Sequence, residues 1–241
     1  MNKKILIFQH SDNVTAGYLS DLLEKDKMIL TTVRLDKKDK IPNNLEKFDA
    51  MICLGGEMNT NMEDTYPWIL DEKEAIKNFV IEIRKPYLGI CLGAQLLGEV
   101  IGGKIVKTKP PEIGILNIEM LATHFKDKVF RNFDSTFKVL QWYSYEVQDL
   151  ESVNDVFLLA SSESTKYQIF RYKDYAYGVQ FHTEIKESTI SSWGKIPELK
   201  AVIENNLGKN ALHSFNKEGN KNIKNMKLNT EKLYENFKKI L

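Results

Sequence analysis

One cysteine and one histidine–glutamate pair in this 241-residue chain have the types and spacing that covalent chemistry needs. Cys91 lies in Gly89-Ile90-Cys91-Leu92-Gly93-Ala94-Gln95. Tyr87-Leu88, just after Pro86, reads as a strand end, and Leu96 to Ile101 reads as an apolar helix. A thiol placed where a strand turns sharply into a helix forms a nucleophile elbow with Cys in place of Ser. The free N–H groups and positive dipole end of the helix favour a thiolate there. Gly89 and Gly93 leave room for the tight turn and for a substrate. Taken alone, the stretch fits a buried, inert cysteine almost as well.

Gly178-Val179-Gln180-Phe181-His182-Thr183-Glu184 supplies the second half. A strand running to Phe181 would send His182 and Glu184 out on the same side, because side chains alternate along a strand. In a chain that also has a cysteine elbow, His182 reads as the base that takes the thiol proton, and Glu184 as its orienter. Gly55-Gly56, at the end of an apolar strand, alone suggests a plain turn. Beside the elbow it reads instead as an oxyanion site, with the N–H groups of Gly56 and Leu92 as its two donors.

Together these stretches resemble class I glutamine amidotransferases, more closely the free-standing GMP synthase-like branch. Leu54-Gly55-Gly56, Tyr66-Pro67-Trp68 with Glu72 and Glu74, and Glu112-Ile113-Gly114 extend the resemblance across roughly residues 1–193. It implies an α/β, flavodoxin-like fold: a mostly parallel central sheet flanked by helices, with a small antiparallel annex and C-terminal helices. It also implies a Cys91-His182-Glu184 triad, with Gly55, Gln95, Tyr143, Ser144 and Tyr145 lining the substrate site. For Gln95 a helix-surface position is equally compatible with the sequence.

The family commonly carries a Gln-Trp-His-Gly-Asp-like stretch that holds the amino acid part of glutamine. Here it reads Gln141-Trp142-Tyr143-Ser144-Tyr145-Glu146. The His position is Tyr143, the Asp position is Tyr145, and Glu146 comes one residue late unless the loop shifts. A substrate ammonium without its carboxylate would lose about 1.5–3 kcal/mol of charged hydrogen bonding. Thr183 stands where the family usually has Pro, with little expected consequence.

These residues need elements to position them. Short apolar runs at 4–9, 28–34 and 48–54 read as strands, and Tyr18, Leu19, Leu22 and Leu23 fall at helical spacing. Residues 69–84 form an amphipathic helix pattern. This alternation argues for a parallel sheet with helices on both faces. After Lys104 the pattern changes to short strands at 105–106, 115–120, 137–142, 157–160, 167–172 and 175–181. A helical turn is expected at 126–130 and a helix at 197–205. Residues 216–227, rich in Asn and Lys, read as a mobile linker or a solvated helix. A terminal helix follows at 228–241, capped by Asn229 or Thr230. Residues 194–241 are thus expected as a helical extension packed on the 1–193 domain.

Composition is that of a globular chain: 42% hydrophobic, 28% charged, net charge +1. That balance gives no reason to expect nucleic-acid or membrane binding. The start of the chain lacks a signal-peptide pattern, and the two cysteines, Cys53 and Cys91, are expected as free thiols in a reducing cytoplasm. Cys53 lies in an apolar run, so core packing is its expected role. The sequence has no Cys/His ligand cluster, so neither metal nor cofactor is expected. The expected reaction is hydrolysis of a glutamine or γ-glutamyl amide through a thioester, with any ammonia-accepting synthetase on a separate polypeptide. A γ-glutamyl hydrolase for another substrate, or a non-catalytic protein that kept the pocket, are the alternatives.

Overall fold

The computed structural model describes residues 2–241. Strands β1 (Lys4–Gln9), β3 (Ala50–Cys53) and β4 (Tyr87–Ile90) are almost continuously apolar and almost wholly buried. Such runs suit strands covered by helices on both faces. They pair in parallel with one another and with β2 (Ile29–Arg34) and β9 (Ala176–Val179). Strands β5 (Lys104–Met120), β6 (Thr136–Gln148), β7 (Val156–Ser161) and β8 (Ile169–Tyr172) continue the sheet with antiparallel pairing. The nine-stranded order is β2-β1-β3-β4-β9-β8-β7-β5-β6. This is the α/β architecture expected, with a parallel core and an antiparallel annex.

Helices α1 (Gly17–Lys25), α2 (Trp68–Lys77) and α3 (Leu92–Val100) belong to the parallel part. Helices α4 (Thr189–Trp193), α5 (Pro197–Leu207) and α6 (Ala211–Phe237) follow the last strand. One apolar cluster joins Ile5, Ile7, Leu19 and Leu88 to Leu233 and Phe237 of α6. A second, on the other face, joins Leu6, Phe8, Met51, Ile76 and Phe79 to Leu96 and Leu97 of α3. A third, around Trp142, Trp193, Ile203 and Phe215, seats the C-terminal helices against the annex.

Several elements differ from the sequence expectation. The strands expected at 105–106 and 115–120 are one long β5, whose pairing with β6 shifts register between Lys107 and Glu112. That irregularity accommodates Pro110 and Pro111, which cannot donate to the ladder. The helix expected over 69–84 is α-helical only to Lys77 and widens to a π turn over Asn78–Glu82. The helical turn falls at Ala122–Lys126 rather than 126–130. Residues 216–227 take the helical alternative and run unbroken into the terminal helix. Asn229 and Thr230 therefore cap nothing. Thr230, inside α6, gives its hydroxyl to the carbonyls of Met226 and Thr183.

Candidate active site

Cys91 connects β4 to α3 with φ 51° and ψ −105°. A non-glycine residue rarely adopts positive φ. Three backbone hydrogen bonds hold the turn: Cys91 N–H to Val179 O (2.8 Å), Gly93 N–H to Leu54 O (3.1 Å) and Gln95 N–H to Cys91 O (3.0 Å). Gly89 and Gly93 permit this, because a β-carbon on Gly89 would overlap the backbone of Gly93 and one on Gly93 the backbone of Cys53. The elbow thus depends on contact between β3, β4 and α3 with no side chain between them.

His182 follows β9, and its N–H donates to Leu140 O on β6 at 2.9 Å. Its Nδ1 lies 2.7 Å from Glu184 Oε1, with both side chains buried. A β-carbon placed on Gly55 would sit 2.8 Å from His182 Cε1 and 3.5 Å from Cys91 Cβ, so Gly55 packs between base and thiol. Burial by itself pushes the His182 imidazole down. The neighbouring Glu184 and Cys91 charges, with the hydrogen bond to Glu184, outweigh it and lift the pKa to about 10. Trp193 of α4 meets the imidazole edge to face, with centroids 4.6 Å apart, and anchors its own Nε1–H on Asn13 O at 2.9 Å. On the far side, Tyr18 N–H at the start of α1 donates to Glu184 O at 2.7 Å. Gly17, at φ +47°, allows that approach, since any β-carbon there would strike the same carbonyl.

A cavity of about 170 Å³ opens beside Cys91. Gly56, Gln95, Tyr143, Ser144 and Tyr145 line it, as do Glu57, Trp142 and two residues of α5, Leu199 and Val202. Gln95 also donates its Nε2–H to Tyr145 O at 2.7 Å, so it holds the 143–145 segment in place. Tyr143 does not offer a free hydroxyl to the cavity. It donates to buried Glu112, which also accepts from Ser162 (2.8 Å), Ser164 and Gln168 Nε2 (2.8 Å). Burial first, then the Glu112 carboxylate, push the Tyr143 phenol far up. Glu146 stays within β6 opposite Val106 and accepts from Gln148 Nε2 at 2.9 Å; no shifted loop brings it to the cavity. Glu57 is the carboxylate that lines it. Among the described residues, neither the Gly56 nor the Leu92 N–H donates to an acceptor.

A second Cys–His–Glu group lies one strand away. His10 Nε2 and Cys53 Sγ each lie 2.8 Å from Glu72 Oε1, and His10 Nδ1 lies 2.9 Å from Gly55 O. The ligand-type atoms of these three residues are within 4.8 Å of one another. Zinc bonds of about 2.0 Å at tetrahedral angles would hold N and O about 3.3 Å apart. The observed spacing is that of hydrogen bonds instead. Trp68 stacks on His10 at 5.6 Å and 23°. Sequence reasoning assigned no role at the site to Glu57, Trp193, Leu199, Val202 or this cluster. Glu57 was reachable, since it directly follows the two glycines; the others depend on tertiary docking.

Residues 11–192 match the family model for glutamine amidotransferase class-I. A glutamine-hydrolyzing GMP synthase subunit from Sulfolobus acidocaldarius is 31% identical over 151 residues, covering 62% of this chain and 74% of its own. The protein of the same name from Sulfurisphaera tokodaii is 29% identical over 174 residues, covering 71% and 87%. A solved glutamine amidotransferase from Thermotoga maritima superposes with a TM-score of 0.80 at 24% identity, covering 98% of this chain and 99% of its own, a likeness of fold. With the family model spanning the elbow, the histidine strand and the glycine pair, this chain belongs to the class I glutamine amidotransferases.

Proposed function

We propose that the protein hydrolyses the γ-carboxamide of glutamine through a thioester on Cys91 and supplies the ammonia to a synthetase on another polypeptide. The observation that carries this reading is the Cys91 elbow at the cavity, with the buried His182–Glu184 pair packed beside it across Gly55 and unspent N–H donors at Gly56 and Leu92. Cys91 Sγ attacks the amide carbon while His182 holds the proton. The carbonyl oxygen gains charge, and the Gly56 and Leu92 N–H groups receive it. Collapse breaks the C–N bond, and the His182 proton leaves with ammonia. Water then gives a proton to His182 and attacks the thioester. Glutamate departs, and Cys91 regains its starting form. Glu184 keeps the imidazole oriented and stabilises its charged form.

Glu57 answers the question raised by the altered 141–146 stretch. It is the charged residue at the cavity wall, with Oε1 accepting from Ser11 (3.3 Å) and Asn13 (3.4 Å), so it is assigned the substrate α-ammonium; Glu112 and Glu146 do not line the cavity. Glu57→Gln is expected to raise KM for glutamine about tenfold, the value of one charged hydrogen bond, with kcat nearly unchanged. Steady-state ammonia release measures both constants. An unchanged KM would remove Glu57 from substrate recognition. The partner is favoured by the relatives, which are named as subunits of a GMP synthase.

A second reading draws on Leu199 and Val202, which add an apolar wall to the cavity. Such a wall suits a γ-glutamyl compound with an apolar group on the amide nitrogen. Comparing kcat/KM for glutamine and for a γ-glutamyl anilide decides between the two.

A further inference from the structure

Resting on the reading above, we propose that His10, braced by Glu72, is a positioning residue that fixes the Gly55–Gly56 peptide so that the Gly56 N–H faces the oxyanion. His10 is fully buried at the end of β1, and its Nδ1 lies 2.9 Å from Gly55 O. A carbonyl only accepts, so this nitrogen must carry the proton whatever the charge of the ring. In a planar trans peptide the C=O and the next N–H point in opposite directions. Anchoring Gly55 O on His10 therefore turns the Gly56 N–H away from His10. Gly56 and Cys91 line the same cavity, and a β-carbon on Gly55 would meet His182 and Cys91, so the freed N–H belongs to the peptide that borders the thiol.

A pair of glycines can flip its shared peptide at little steric cost. Nothing in Gly55-Gly56 itself selects the productive orientation, so the selection must come from outside the pair. Helix α2 provides it. Trp68 and Glu72 are four residues apart and so project from one face of the helix. Trp68 covers the flat face of the imidazole, and Glu72 Oε1 holds Nε2 at 2.8 Å. Cys53, on the strand leading into the glycines, donates to the same oxygen at 2.8 Å and keeps that carboxylate in place. A flipped peptide would leave the buried Nδ1–H without an acceptor and aim a carbonyl oxygen at the site of developing negative charge.

The test uses the full chain with His10→Leu, His10→Asn and wild type. The Asn side-chain nitrogen is as many bonds from Cα as the His Nδ1, so it can donate to Gly55 O without reaching Glu72. For His10→Leu, kcat for glutamine is expected to fall about 100-fold, the effect of losing one oxyanion donor, with KM within about twofold. Alkylation of Cys91 by iodoacetamide, which forms no oxyanion, is expected to stay within about twofold. His10→Asn is expected to recover most of kcat, and a crystal structure of His10→Leu is expected to show the Gly55 carbonyl reoriented. Unchanged kcat in His10→Leu, a parallel loss of alkylation, or failure of Asn to rescue would each overturn the role. If His10→Leu does not fold, NMR on the wild type decides: a through-bond coupling from the His10 Nδ1 proton to the Gly55 carbonyl carbon is required. If the wild type cleaves no γ-glutamyl amide, the functional reading fails on its own. The coupling and the peptide orientation in the variant then still decide the positioning role.

Discussion

The chain holds two Cys–His–Glu groups, and they are wired differently. In Cys91-His182-Glu184 the imidazole is hydrogen-bonded to the carboxylate and lies beside the thiol residue, the order in which the proposed mechanism would pass a proton from sulfur to nitrogen while the carboxylate steadies the charge. In Cys53-His10-Glu72 the carboxylate stands in the middle, hydrogen-bonded to both other members. Cys53 has no base of its own. Burial, then the Glu72 carboxylate, push its thiol well above the ordinary range. The His10 imidazole is pulled down by burial, yet the Glu72 charge and hydrogen bond and the Gly55 carbonyl raise it on balance. On the proposed roles, connection and access, more than residue type, separate a nucleophile from a brace.

The largest effect expected from that difference is on turnover. By analogy with other triads, His182→Ala should lower kcat roughly 10⁶-fold and Glu184→Gln roughly 10⁴-fold. Cys53→Ser should leave kcat within about threefold, since a hydroxyl can still donate to Glu72. Single-turnover ammonia release measures all three. Near-normal turnover in His182→Ala would break the comparison at its centre.

The next effect is on reactivity. Cys91 is 5% exposed at a cavity wall, whereas Cys53 is wholly buried. Cys53 can react only after a local opening, and an opening that costs about 3 kcal/mol slows it about 150-fold. Brief labelling with a glutamine-like electrophile, followed by mass spectrometry, should find the label on Cys91. Preferential labelling of Cys53 would reverse the assignment.

The smallest effect is on stability against pH. The folded-state pKa of His182 is about 10, above its ordinary value of 6.5. The folded state therefore binds this proton more tightly, and the resulting stability is complete below pH 6.5. It fades as pH rises and is lost above about 10. The Tm of the wild type should fall by a few degrees between pH 7 and pH 10 relative to His182→Gln. Parallel profiles for the two proteins would show that His182 is not held in its charged form.

The residues of the proposed triad were legible because local sequence carries them. An elbow needs a strand, two glycines and a helix within a few residues, and His182 and Glu184 need only strand alternation. Strands β1, β3 and β4 were legible as apolar runs for the same reason, whereas 175–181, grouped with the later short strands, pairs in parallel with β4 at the centre of the sheet. The bracing cluster was not: Glu72 stood out only through its motif with Tyr66-Pro67-Trp68, and nothing local joins it to residues 10 and 53 from two other stretches. Leu199 and Val202 were equally hidden: they look like any helix side chains until α5 docks over the cavity. The two strands on either side of Pro110-Pro111 fuse into β5 because pairing with β6 resumes after a register shift. The Asn- and Lys-rich stretch stays helical because α6 keeps Phe215, Gly219 and Met226 buried on one side. Packing there overrides composition.

The backbone of Cys91 has a consequence of its own. Its φ of 51° places a residue with a side chain where glycine is at ease, at a cost of about 1–3 kcal/mol. Domains are stable by only about 5–15 kcal/mol, so one residue withholds a sizeable share of what the fold could have. Selection for stability alone would work against this conformation, and under the proposed function selection for turnover opposes it. Without the proposed reaction to maintain it, the strained elbow would be free to relax.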